Sequence, residues 1–125
     1  MDSPKSVLIV DDDRAILRLF ALVLQRAGFA VRTAASGREA VDIYRQDPAQ
    51  IGLVLLDVRM PEQNGPDTLA ALRAINPAVR CCFITGESSG STDEDLLSKG
   101  ALAVLKKPVA HDDLTLTLRK LLAGE

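Results

Sequence analysis

The chain has 125 residues, a net charge of −2, 47% hydrophobic and 26% charged residues. That length suits one domain around one core, and the composition is ordinary for a soluble globular protein. The near-neutral charge excludes nucleic-acid or membrane binding by bulk electrostatics, and no apolar run approaches the length of a membrane span. The start, residues 1–6, lacks the layout of a signal peptide. The two cysteines, Cys81 and Cys82, are adjacent in an apolar run. Strand neighbours point to opposite faces, so they read as buried free thiols in a reducing cytosol rather than as a disulfide. With no repeat, low-complexity tract or composition break, residues 1–125 read as a single domain.

Ser6-Val7-Leu8-Ile9-Val10 is a β-branched-rich run and predicts a first strand. It ends in Asp11-Asp12-Asp13, three carboxylates that repel one another unless a cation sits among them. Asp13 is also placed to cap the following helix, 14–27. There Ile16, Leu19, Phe20, Val23, Leu24 and Ala27 predict one apolar face, leaving Leu17, Ala21 and Leu22 off it. Gly28 ends that helix. Residues 29–33 predict the second strand, and Ser36 caps a helix to Gln46 with Ala40, Val41 and Tyr44 inside.

The third strand carries an unbroken apolar run, Leu53-Val54-Leu55-Leu56, that stops at Asp57. Met60-Pro61 and Gly65 then turn the chain. Such a run, flanked by turn residues, marks a strand buried on both faces of a parallel sheet. Pro66 lies just inside a helix whose buried side is Leu69, Leu72 and Ile75. Residues 79–85 predict a fourth strand ending in the hydroxyl of Thr85. A Gly/Ser-rich loop and a short helix, 93–99, lead to a fifth strand, 101–105, and to Lys106-Lys107-Pro108. The last helix, 111–123, turns Leu114, Leu118, Leu121 and Leu122 inward, and its Asp112 and Asp113 suit the helix dipole. His111 falls exposed in its first turn.

Five β-α units with short loops imply a parallel sheet with helices on both sides, a doubly wound (βα)5 sandwich. The common strand order for such a sheet, 2-1-3-4-5, comes from general fold rules. It brings Asp11, Asp12 and Asp57 into one crevice at the switch point between strands one and three, flanked by Thr85 and Lys107. Converging carboxylates form a hard-oxygen site suited to Mg²⁺. The ion leaves Asp57 ionised and nucleophilic, so attack on phosphorus gives an acyl phosphate. Mg²⁺, the Lys107 ammonium, the Thr85 hydroxyl and backbone N–H groups would meet the equatorial oxygens. A basic residue before a proline at a strand end fits a tight turn, cis or trans.

These residues resemble the receiver domain of two-component response regulators over nearly the whole chain. The matching motifs are Val10-Asp11-Asp12, Leu56-Asp57-Val58-Arg59-Met60-Pro61 with Gly65, Ile84-Thr85-Gly86, Gly100-Ala101 and Lys106-Lys107-Pro108. The resemblance implies a flavodoxin-like fold and phosphoryl transfer to Asp57 from a phosphohistidine on a sensor histidine kinase or a histidine phosphotransfer protein. It implies Mg²⁺ bound by Asp12, Asp57 and the backbone carbonyl of Arg59, with Asp11 acting mainly through water. It also implies that Thr85 and Lys107 bind the phosphoryl oxygens. The domain is then not an enzyme beyond its own phosphorylation and slow dephosphorylation. It is expected in the cytoplasm, without nucleic-acid or membrane contact, and monomeric when unphosphorylated.

Two positions depart from the family pattern. Three residues before the site lysine the family usually carries Tyr or Phe, where this chain has Val104; and Ala110 stands where Ser or Thr usually caps the last helix. Arg59 and Glu87 are placed to pair across the rim of the site. Two other classes compete. A haloacid-dehalogenase-like hydrolase has Asp-x-Asp at its nucleophile, but Arg59 stands two residues after Asp57. A flavodoxin-like cofactor binder needs a phosphate loop after strand one, where three aspartates would repel a phosphate.

Overall fold

The computed structural model of the protein describes residues 5–86 and 92–123. Five strands, β1 (Ser6–Val10), β2 (Ala30–Ala34), β3 (Ile51–Asp57), β4 (Cys81–Thr85) and β5 (Ala103–Lys106), form one parallel sheet in the order β2-β1-β3-β4-β5. The helices are α1 (Arg14–Arg26), α2 (Gly37–Gln46), α3 (Gly65–Ile75), α4 (Asp93–Ser98) and α5 (His111–Leu122). The expected flavodoxin-like doubly wound order is therefore the one observed.

The strands are buried on both faces, and the period of two in their side chains divides the core. Val7, Ile9, Leu53, Leu55, Cys82 and Ile84 pack with α1 and α5. Leu8, Val10, Val54, Leu56, Cys81 and Phe83 pack with α2, α3 and α4 on the other side. Cys81 and Cys82 thus lie in opposite half-cores as free, buried thiols. Burial pushes both thiols up, Cys82 to about 12, so neither is a nucleophile at neutral pH.

Local chemistry sets the helix starts. The Asp13 carboxylate accepts from the N–H groups of Ala15 and Ile16, Ser36 from Glu39, Asn64 from Asp67 and Thr92 from Asp95. Ala110 begins α5 with no side-chain cap, as its missing hydroxyl requires. The Lys107-Pro108 peptide is cis.

Several boundaries differ from the sequence reading. Leu17 is buried at 7% exposure while Leu19 stands 44% exposed, so the inward stripe of α1 is Leu17, Phe20 and Leu24. Both stripes fit helical periodicity, and the choice comes from how α1 lies against β2. Ile75 and Leu122 pack at the edges of their half-cores rather than inside them. β4 begins at Cys81 because Val79 N–H turns back to the Asn76 carbonyl. β5 begins at Ala103 because Gly100 adopts φ +103° and the chain joins the sheet only when Leu102 N–H reaches the Cys81 carbonyl. A 3₁₀ turn, Pro48–Gln50, leads into β3, and β2 starts one residue after Phe29. No helix among the described residues is long and apolar enough to cross a membrane.

Candidate functional site

The register of the central strands builds the site. Val10 pairs with Leu56, so the next residues, Asp11 and Asp57, leave the sheet side by side. Asp57 pairs with Ile84, which puts Thr85 one step beyond it. Thr85 pairs with Lys106, and Lys107 N–H donates to the Thr85 carbonyl at 2.9 Å. All these residues therefore gather at the carboxyl edge of the sheet.

Asp11 and Asp57 are buried, at 2% and 6% exposure, and Asp12 is exposed. Carboxylate oxygens of Asp11, Asp12 and Asp57 all lie within 4.8 Å of one another. The Lys107 ammonium bridges two of them, 3.3 Å from Asp11 Oδ2 and 3.2 Å from Asp57 Oδ1. Burial, and next the Asp11 charge, push the Asp57 carboxyl from 3.8 up to about 6, against the pull of Lys107. Burial alone would lower the Lys107 ammonium, but attraction to Asp57 and Asp11 outweighs it and raises the pKa.

Three carboxylates face one ammonium, so the cluster carries excess negative charge in a partly desolvated crevice. The donors are hard oxygens, two on buried side chains and one on an exposed one, which fits a small divalent cation such as Mg²⁺. Asp13 does not join them: its carboxylate caps α1, while its N–H donates to Asp11 Oδ1 at 2.9 Å and orients that side chain.

Thr85 is buried, and its hydroxyl donates to the Gly86 carbonyl at 3.1 Å, within its own turn. Arg59 is exposed two residues beyond Asp57. Its expected partner across the rim, Glu87, lies outside the described residues, as does most of the Gly/Ser-rich loop. Val104 is half-buried against the α2–α4 half-core, in register with Phe83.

Gly65 carries a structural demand that its motif alone did not explain. Its N–H donates to the Val58 carbonyl at 2.8 Å, and a Cβ there would lie 2.5 Å from the Asp57 carbonyl oxygen. Only glycine lets α3 start this close to the backbone of Asp57. Two ties around α4 carried no sequence signal. Arg73 donates to the Lys99 carbonyl at 2.7 Å, and Lys106 pairs with Asp93 at 3.6 Å. Both join residues distant in the chain.

The fold and this acidic crevice define a flavodoxin-like regulatory domain with a strand-end aspartate, an acidic neighbour pair and an opposing lysine. The chain belongs to the response regulator receiver domain family, which matches residues 7–119. It is 40% identical over 117 residues to the transcriptional regulatory protein ZraR of Escherichia coli K12, covering 94% of this chain and 26% of that protein. The chain thus spans about a quarter of the length of that curated relative. A response regulator receiver domain protein from Clostridium thermocellum superposes with a TM-score of 0.90 at 28% identity, over 96% of this chain and 95% of that one. A chain of the CheX–CheY–BeF3–Mg²⁺ complex from Borrelia burgdorferi gives 0.87 at 28% identity, over 94% and 89%. It is therefore a receiver domain of the response regulators.

Proposed function

We propose that this chain works as a single receiver unit whose Asp57 accepts a phosphoryl group from a phosphohistidine on a sensor histidine kinase or phosphotransfer protein. The observation that carries the reading is the Lys107 ammonium held between Asp11 and Asp57 at 3.3 and 3.2 Å. It places a fixed cation beside the attacking oxygen, where the phosphoryl group gains its partners.

Each residue has a separate task. Asp57 Oδ attacks phosphorus in line as the P–N bond to the donor histidine breaks, its electron pair returning to the imidazole, and Asp57 becomes an acyl phosphate. Lys107, already tied to the Asp57 carboxylate, follows the charge onto a phosphoryl oxygen. The Thr85 hydroxyl, which donates to the Gly86 carbonyl within its own turn, would turn toward another phosphoryl oxygen. Asp12, Asp57 and the Arg59 backbone carbonyl would hold Mg²⁺, with Asp11 acting through water. The ion would offset the mutual repulsion of the carboxylates and neutralise charge on the transferring group. The related Borrelia complex contains Mg²⁺ and BeF3, which supports a Mg²⁺ ion in this crevice. The domain would then catalyse its own phosphorylation and slow dephosphorylation, in the cytoplasm where its free thiols stay reduced.

The test is labelling with acetyl phosphate in the presence of Mg²⁺, read by intact mass. The parent should gain one labile phosphoryl group and Asp57→Asn none. A flavodoxin-like cofactor binder would gain none in either form.

A further inference from the structure

A cleft of about 570 Å³ opens beside the reactive aspartate, and its walls are mostly apolar. Ile16, Leu19 and Phe20 of α1 and Pro108 and Val109 of the turn before α5 line it, together with Lys107, Gly86 and His111. Lys107 is the residue whose ammonium lies 3.2 Å from Asp57 Oδ1. The cleft thus joins the cation beside Asp57 to a lining that is mostly hydrocarbon. Leu19 remains 44% exposed although its place in the α1 pattern marks it for burial. Among the described residues the lining carries no carboxylate, and its one charged side chain is the Lys107 ammonium.

This pairing of a phosphoryl-binding ammonium with an apolar wall selects a chemical class of phosphodonor. We propose that the cleft holds the hydrocarbon body of small acyl phosphates, so that Asp57 is phosphorylated preferentially by donors with a large apolar acyl group. The proposal rests on the phosphoacceptor reading above. In the step, an Asp57 carboxylate oxygen forms a bond to phosphorus. The bond from phosphorus to the bridging oxygen breaks, its electron pair stays with that oxygen, and the acyl group departs as a carboxylate. No proton moves, and the phosphoryl group keeps its charge. A phenyl ring in place of the acetyl methyl gives a mostly apolar lining that includes Leu19 and Val109 more hydrocarbon to cover.

Benzoyl phosphate and acetyl phosphate decide the matter, because benzoate and acetate are leaving groups of similar basicity. With Mg²⁺ present, benzoyl phosphate should label Asp57 about tenfold faster at low donor concentration, the value of burying part of a phenyl ring. Leu19→Ser, which removes the apolar wall without adding charge, should erase that advantage and leave the acetyl phosphate rate unchanged. Phenylphosphonate should slow labelling of the parent by either donor at concentrations where methylphosphonate does not, a measurement that needs no variant. Equal rates with both donors, or an undiminished benzoyl advantage in a folded Leu19→Ser variant, would overturn the proposal and leave the phosphoacceptor reading intact. Failure of both donors to label Asp57 would overturn both.

Discussion

The Lys107 ammonium and the Asp57 carboxylate, 3.2 Å apart, join the end of the fifth strand to the end of the third. The same ammonium also serves Asp11, so one cation is divided between two buried acids. A half-share of a positive charge does not offset the burial of Asp57, and its carboxyl stays raised to about 6.

That balance predicts the pH dependence of stability in metal-free protein. Asp57 titrates at its ordinary 3.8 in the unfolded chain and at about 6 in the fold. Its contribution is fully present below 3.8, is lost as pH rises through about 6, and leaves a cost at neutral pH. Asp57→Asn should therefore unfold at higher urea than the parent at pH 7 with a chelator present. The gap should be on the order of 2 kcal/mol and should close below pH 4. A gap that does not change with pH would show that Asp57 ionises without penalty.

Metal binding should separate two adjacent aspartates. Asp12→Ala should abolish Mg²⁺ binding and phosphorylation. Asp13→Ala should leave both and lower stability by about 1 kcal/mol, because its carboxylate caps α1. Isothermal titration together with urea unfolding reads both effects, and loss of metal binding in Asp13→Ala would move Asp13 into the metal site.

Gly65→Ala should be damaging although the side chain added is small. Its Cβ would meet the Asp57 carbonyl oxygen at 2.5 Å and the Val58 Cα at 2.9 Å. Both are backbone atoms of the strand end that carries the acceptor. We expect a loss of about 1–3 kcal/mol in stability and slower labelling of Asp57 even where the variant is fully folded. A labelling rate equal to the parent's would show that the turn relaxes without moving Asp57.

Docking of the phosphodonor should depend on α1. Arg18 is exposed on this helix, which begins beside the acidic cluster, and a phosphohistidine must approach Asp57 in line. Arg18→Glu should slow transfer from the partner protein about tenfold or more, as charge reversal at an interface does, and spare labelling by acetyl phosphate. Equal loss with both donors would indicate a folding defect.

Val104 should weaken relay of the phosphorylated state. Its β-branched side chain is stiff and packs half-buried against the α2–α4 half-core, with no ring to fill space that Thr85 would vacate. A modification shifts an equilibrium only through its different contacts in the two states. Beryllofluoride should therefore produce small amide shifts along α5 and no tight dimer, and Val104→Tyr should enlarge those shifts. Large shifts at Leu114, Leu118 and Leu121 in the parent would show that the aromatic is dispensable.

Sequence alone determined the alternation of strands and helices, the cap at Asp13, the opposite facing of Cys81 and Cys82, and the places of Asp11, Asp12, Asp57, Thr85 and Lys107 at or just beyond the strand ends. Each of these follows from local chemistry. A strand buried on both faces needs a continuous apolar run, a helix start needs a side-chain acceptor, and a parallel sheet exposes its functional residues at the carboxyl edge. What tertiary structure decided is of another kind. The stripe of α1 could lie on Leu19 or Leu17, and only its packing against β2 chose Leu17. The starts of β4 and β5 depended on hydrogen bonds to residues outside those strands, from Val79 to Asn76 and from Leu102 to Cys81. The need for glycine at residue 65 arises from a backbone eight residues earlier, and the sharing of Lys107 between Asp11 and Asp57 from strands far apart in the chain. Local pattern carries periodicity and capping. It carries no record of which surface a helix meets, or of how one charge is divided among neighbours that only folding brings together.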